Sequence, residues 1–193
     1  MRPGFVAPEL HEEFPGLRVA WTEVEARDGP TPPELRERLR AMSDRFRGPQ
    51  AIALRRQDVP QAHRVFFRHV GLDPDARRTP VEAAALRRME QGGFRPQGLI
   101  ADAITVAVVE TGVGVWALDA NRLRGEVGIR TAGGRLVLAD EAGALGELFA
   151  EPDAEFAVTR ATRRIALVSV AVPNVPGIFV EEALWIASDI LSP

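Results

Sequence analysis

The amino-acid sequence predicts one α+β domain, and three observations carry that prediction. Helix-start chemistry crowds residues 31–93, where Thr-Pro-Pro-Glu, Asp-Val-Pro and Thr-Pro-Val-Glu each precede a stretch of helical length. Short apolar runs bounded by Gly, Pro and Asn dominate residues 115–172 and read as strands. Of the 193 residues, 46% are hydrophobic and 26% charged, close to ordinary soluble globular proteins and unlike disordered or membrane chains. The length suits a single domain over 1–193, with the Pro-rich residues 1–15 as an irregular N-terminal extension.

In chain order, Leu17, Val19 and Trp21 alternate with Arg18, Ala20 and Thr22, the period of a half-buried strand. Asp28-Gly29-Pro30 is turn chemistry. Thr31-Pro32-Pro33-Glu34 then supplies an N-cap, first-turn prolines and a capping-box glutamate for a helix ending near Gly48-Pro49. Asp58-Val59-Pro60 opens a second helix, with Val65, Phe66 and Val70 on its apolar face and Gly71 placed to cap its end. Thr79-Pro80-Val81-Glu82 repeats the capping box for a third, through Ala84, Ala85, Leu86 and Met89 to Gly92-Gly93. The run 99–109 is too continuously apolar for periodicity to decide between a buried helix and a strand. Strands are expected at 115–118, 126–130, 135–138, 156–159 and 165–172, with Ala132-Gly133-Gly134 as a hairpin turn. Val180, Leu184, Ala187 and Leu191 mark an amphipathic C-terminal helix after the break at Pro173 to Gly177.

Composition excludes several chemistries. With no cysteine there is no disulfide, thiolate nucleophile or cysteine zinc site. His11, His63 and His69 form no metal-binding helical pair, so no metal and no cofactor is expected. All 24 basic residues are arginine, which leaves no Schiff-base or P-loop lysine. No apolar run reaches the roughly 18 residues of a membrane span, and the N-terminus lacks the apolar centre of a signal peptide, so a cytoplasmic protein without a membrane partner is expected. The net charge of −3 conceals a basic segment, residues 36–95, with 14 Arg against 7 acidic residues. That segment is either a polyanion footprint or a solvated arginine-rich helix surface.

The order of motifs from Val59 to about Leu138 resembles the tRNA-editing domain in the beta subunit of bacterial phenylalanyl-tRNA synthetase, and more closely free-standing copies of that domain. The pieces are Ala62-His63-Arg64, Gly71-Leu72-Asp73-Pro74, Thr79-Pro80-Val81-Glu82-Ala83, Leu86-Arg87-Arg88 and Gly92 with Pro96. They continue through Asp102, Glu110, Gly112, Ala117-Leu118-Asp119, Leu123 with Gly125, and Val127 to Ala132. The resemblance implies a three-layer β/β/α sandwich, and a pocket that in the synthetase hydrolyses tyrosine wrongly joined to the tRNA for phenylalanine. This chain carries Thr105 where the family has Asn, Ile104 where it has Thr, and Trp116 where it has His. Indole neither accepts a proton nor orients water as imidazole does, so hydrolysis stays open and no catalytic residue is assigned. Aminoacylation is not expected of a chain this short.

The pocket candidates are Trp116, Thr105, Glu110, Gly112, Gly114 and Leu99. Trp116 is either a pocket wall or a core aromatic, and Thr105 either a pocket hydroxyl or a helix residue bonded to its own backbone. Asp119 and Asp102 read as caps. The RNA-binding candidates are Arg64, Arg68, Arg77, Arg78, Arg87 and Arg88. The expected partner is tRNA or aminoacyl-tRNA rather than DNA, with aminoacyl-tRNA deacylation in trans as the enzymatic form. The alternatives are a non-catalytic RNA or protein interaction module, or a pocket for a small amino-acid-like metabolite.

Overall fold

A computed structural model describes residues 1–45 and 53–192, and of Arg55 the backbone only. The protein is α+β, with two four-stranded sheets and helices between and after the strands. In chain order the elements are β1 (Arg2–Pro3), β2 (Phe5–Val6), α1 (Pro8–Glu13), β3 (Arg18–Glu25), α2 (Pro33–Arg45), α3 (Asp58–His69), α4 (Pro80–Gln91), α5 (Leu99–Thr111) and β4 (Val115–Asp119). They continue with β5 (Gly128–Ala132), β6 (Arg135–Ala139), β7 (Ala144–Glu147), β8 (Arg164–Ala171) and α6 (Gly177–Leu191). Single 3₁₀ turns lie at Leu54–Arg56 and Ala120–Arg122. Among the described residues no helix is long and apolar enough to cross a membrane.

The first sheet runs β1-β3-β8-β4 and is antiparallel throughout. β3 and β8 pair over their full length, from Arg18 opposite Ala171 to Glu25 opposite Arg164. β8 is buried at every position after Arg164, which is why its sequence is continuously apolar rather than alternating. The second sheet runs β2-β5-β6-β7, with β2 parallel to β5 and the rest antiparallel. The β5–β6 turn has positive φ at both Gly133 and Gly134, the mirror-image turn whose twist suits a two-residue hairpin.

The N-terminal residues differ from the irregular extension expected of them. Arg2–Pro3 adds to β3 opposite Trp21 and Ala20, Phe5–Val6 adds to β5 opposite Gly128 and Ile129, and a short helix follows. Gly128 makes the second pairing possible, because a Cβ there would collide with the carbonyl oxygen and ring of Phe5. The 126–130 strand begins at Gly128 instead, and residues 156–159 contribute one bridge, Ala157 to Leu118, rather than a strand. β7 had no clear sequence signal.

α2 starts where its prolines predict, but Thr31 does not use its hydroxyl as a cap; it donates to Asp102 Oδ2 at 2.5 Å. The expected end of that helix, near Gly48-Pro49, lies outside the described residues. α3 buries Val59, His63, Phe66 and Phe67, while Val65 is exposed. α4 has the expected capping box, Thr79 with Glu82, and a left-handed Gly92 at its end. It buries Val81, Ala84 and Ala85 and leaves Leu86 and Met89 exposed.

The undecided run 99–109 is helical. α5 buries Ile100, Asp102, Ala103, Val106, Ala107, Val108 and Thr111, and its less buried positions include the apolar or small Leu99, Ala101, Ile104 and Val109, so no polar stripe marks a helical period. It packs between α2, α4 and α6, and α6 in turn lies on β3 and β8. In α6 the expected Val180, Leu184, Ala187 and Leu191 are all buried.

Candidate functional site

Two carboxylates fix the start of α5. Asp102, 1% exposed, accepts from the backbone N–H of Gln97 (3.0 Å) and Gly98 (3.4 Å) and from the Thr31 hydroxyl. Asp28 Oδ1 accepts from the N–H of Ile100 at 3.4 Å. Asp28 satisfies an N–H of the first turn, Asp102 reaches back to the N–H groups just before it, and both carboxylates favour the positive dipole end of the helix. Asp102 is thus the expected structural cap, while Asp28 stands at the mouth of a cleft.

That cleft, of about 510 Å³, lies between α4, α5, β4 and the segment after β7. Its apolar lining comes from Ile100, Ile104 and Val108 of α5, Val115 and Trp116 of β4, and Phe149. Its charged lining is Arg78 and Arg87 from the α4 side, Asp28, and Glu151. A small gap of about 10 Å³ beside the cleft shares Ala84, Arg87, Gln97 and Thr105 with it and is bordered also by Arg88, Gln91, Phe94 and Arg95.

Trp116 is both a wall of the cleft and part of the core. It is 9% exposed, its Nε1–H donates to the Ala150 carbonyl at 2.9 Å, and its ring lies 5.6 Å from that of Phe149. Phe149 holds a left-handed backbone, φ 63°, which is costly for an aromatic residue by about 1–2 kcal/mol. Ring contacts with Phe66, Phe67, His63 and Trp116 over-determine it.

Gly114 makes room for the indole: a Cβ would lie 2.7 Å from Trp116 Cη2 and 2.9 Å from Pro80 Cγ. Gly114→Ala is therefore expected to cost about 1–3 kcal/mol, as overpacking does. Urea unfolding checks it, and unchanged stability would mean that the wall yields.

Thr105 lines the cleft and also donates its hydroxyl to the Ala101 carbonyl at 2.8 Å, so both expected readings of it hold at once. The other three pocket candidates stand apart. Glu110, at the far end of α5, pairs with Arg38 through Nη2 at 2.7 Å and Nε at 3.2 Å. Gly112 is the left-handed cap of α5 and packs on Val59. Leu99 packs against the core and does not line the cleft.

The six candidate arginines divide. Arg64 is 6% exposed and pairs with Glu82 at 3.0 Å and Asp75 at 2.9 Å, so it does not face phosphates. Arg77 pairs with Glu147 on a second cavity, of about 410 Å³, across Phe149, and its guanidinium holds the Glu147 carboxyl below its usual pKa. Arg78 pairs with Asp75 at 3.2 Å at the rim of the cleft. Arg88 donates to the Ser43 carbonyl at 2.8 Å. Arg68 and Arg87 are exposed and have no partner among the described residues.

No protein-family model and no curated protein matches the chain. Among the described residues that line the cleft there is no histidine, serine or cysteine. The carboxylates of Asp28 and Glu151 are the proton acceptors available, so any hydrolysis would run through a water held by one of them. Sequence reading missed both, along with Phe149. Asp28 carried only the signal of a turn, and Glu151 carried none.

Proposed function

We propose that this protein binds the aminoacyl end of a tRNA, or a small ester of the same chemistry, as a free-standing domain similar to the synthetase editing modules. The observation that carries the reading is a cleft of mixed apolar and polar lining with Arg78 and Arg87 on its α4 side. A volume of about 510 Å³ is within the roughly 300–1,000 Å³ of small-ligand sites. The amino-acid side chain would lie on Ile104, Val108 and Trp116, and the terminal phosphates would lie by the exposed Arg87. The α+β fold with two sheets and a helical side is compatible with a three-layer sandwich of the editing type. On the resemblance, Trp116 takes the sequence position of the family's histidine, and an indole in place of an imidazole favours recognition over turnover.

The test uses 3′-(L-leucylamino)-3′-deoxyadenosine, its phenylalanyl and tyrosyl counterparts, and tRNA, with titration calorimetry and thermal shift. A ligand at 100 times its Kd should stabilise the protein by about 2.7 kcal/mol. Arg87→Ala is expected to weaken tRNA binding and to reduce the slope of log K against log salt by about one. Failure of every probe to bind would refute the reading. A deacylation assay with mischarged tRNAs separates hydrolase from binding module. Withdrawal of Arg64 and Arg77 from the phosphate footprint favours a second reading, a free amino-acid-like metabolite. Free amino acids binding as tightly as their adenosine conjugates would select it.

A further inference from the structure

We infer that the outward face of α6 is a docking surface for a basic amphipathic helix of another protein. α6 contributes no residue to the cleft, so the inference is independent of the aminoacyl reading.

The inner side of α6, with Val180, Leu184, Ala187 and Leu191, is buried where the helix packs on β3, β8 and α5. On the outer side Ile178, Glu182, Trp185 and Asp189 are all exposed and recur at spacings of four, three and four, which aligns them along one ridge. Ile178 is 61% exposed and Trp185 64%, the highest values of any large hydrophobic residue described. Covering a tryptophan removes roughly 150–250 Å² from water, and this residue type is enriched at the energetic centres of protein interfaces.

The charges decide what covers the ridge. α6 carries the acidic residues Glu181, Glu182 and Asp189 and no basic one. None of the three has a hydrogen-bond or ion-pair partner among the described residues. Glu181 borders a cavity with Arg2 and Arg18 at the start of the helix, and Arg2 is itself paired with Glu23 at 3.5 Å. Glu182 and Asp189 lie on the open ridge. A second copy does not suit this pattern. Antiparallel packing of α6 on α6 that sets Trp185 on Ile178 also sets Glu182 of one copy against Glu181 of the other, and parallel packing sets each acid on itself. Like charges opposed in this way work against association. Nucleic acid and anionic lipid are repelled by the same carboxylates. A helix with Lys or Arg spaced between apolar residues matches both features: its apolar side chains cover Ile178 and Trp185 while its cations reach Glu182 and Asp189.

Of the three tryptophans, Trp21 and Trp116 are 5% and 9% exposed, so the indole open to acrylamide quenching is that of Trp185. A synthetic peptide of two Leu-Lys-Lys-Leu-Leu-Lys-Leu repeats is titrated into the full chain, with its Leu-Glu counterpart and a non-amphipathic shuffle of the same residues as controls. The Leu-Lys peptide is expected to shift the emission to the blue, to protect Trp185 from acrylamide, and to bind at least about tenfold more tightly than either control. By titration calorimetry, Trp185→Ala should weaken its binding about 10- to 100-fold. Glu182→Gln with Asp189→Asn should weaken it about 2- to 10-fold and make it less sensitive to salt. All these positions are exposed, so thermal unfolding of the variants should match the parent, and Ile178→Ala gives a second reading of the same face. No binding of the Leu-Lys peptide, equal binding of either control, or an affinity unchanged in both Trp185→Ala and Ile178→Ala overturns the inference. A blue shift that grows with protein concentration alone, with a dimer in sedimentation, overturns it in favour of a second copy. A shift produced by phosphatidylcholine vesicles and not by the peptide overturns it in favour of a membrane surface.

Discussion

Replacing Arg64 by alanine is expected to lower the unfolding free energy by about 3–5 kcal/mol, the usual cost of breaking a buried ion pair by removing one partner. Arg64 lies on α3, and its Nη1 donates to both oxygens of Glu82, at 3.0 and 3.3 Å, while Nη2 reaches Asp75 at 2.9 Å. Glu82 is itself the capping-box carboxylate of α4, accepting from the Thr79 N–H and hydroxyl. One guanidinium thus ties the face of α3 to the first turn of α4, and its loss disturbs a cap as well as a pair. For a domain of this size the change corresponds to a fall in Tm of roughly 6–20 °C. Arg64→Lys keeps the charge without the planar fork and should recover only part of the loss. Arg68→Ala, one turn further along α3 and exposed, should change stability by no more than about 0.5 kcal/mol. Urea unfolding of the three variants decides the matter. If Arg64→Ala were as stable as the parent yet lost affinity for tRNA, the arginine would belong to the phosphate footprint after all.

A second large effect is expected from pH. His63 is fully buried, and its Nδ1–H donates to the Val59 carbonyl at 2.9 Å, which fixes the proton on that nitrogen. Nε2 has no hydrogen-bond partner among the described residues, and the ring packs edge-on against Phe149. Burial pushes the imidazole pKa down to about 4, against smaller opposing effects of the Val59 carbonyl and the Glu82 charge. The unfolded chain therefore takes up a proton near pH 6.5 and the folded one only near pH 4, so between these values the unfolded state binds more protons. The stability that His63 contributes is complete above pH 6.5 and is lost as pH falls toward 4. The loss amounts to about 3 kcal/mol, of which about 2 is gone by about pH 5. Unfolding free energies at about pH 7, 6 and 5 test this, and His63→Leu should flatten that part of the profile. A slope that persists in His63→Leu would assign the effect to other groups.

The amino-acid sequence by itself determined what short-range chemistry determines. The Thr79–Glu82 capping box, the left-handed Gly92 and the two-glycine hairpin at Gly133 and Gly134 all stand where their residue types predict, because caps and turns depend on a few neighbouring dihedrals and N–H groups. The β3 alternation and the amphipathic stripe of α6 were legible for the same reason. Tertiary structure decided the rest. The apolar run of α5 is a helix packed on α2, α4, α6 and β4, and because its less buried face is also largely apolar or small, no polar stripe announced it. The two-residue strands β1 and β2 exist only through their pairing with β3 and β5, and the second of these partners lies in a distant part of the chain.

The same limit governs the site. Arg64 and Arg68 are the same residue type at helical spacing, yet one is buried against carboxylates and the other faces solvent. Which fate each meets is set by the turn carrying Asp75 and the first turn of α4, not by its own sequence neighbours. Trp116 and Thr105 could be named as candidates from their motif, but Asp28 and Glu151 reach the same cleft from opposite ends of the chain. Local sequence encodes dihedral preference and capping; burial and convergence are long-range sums over the folded chain, and they alone decided which charges this cleft presents.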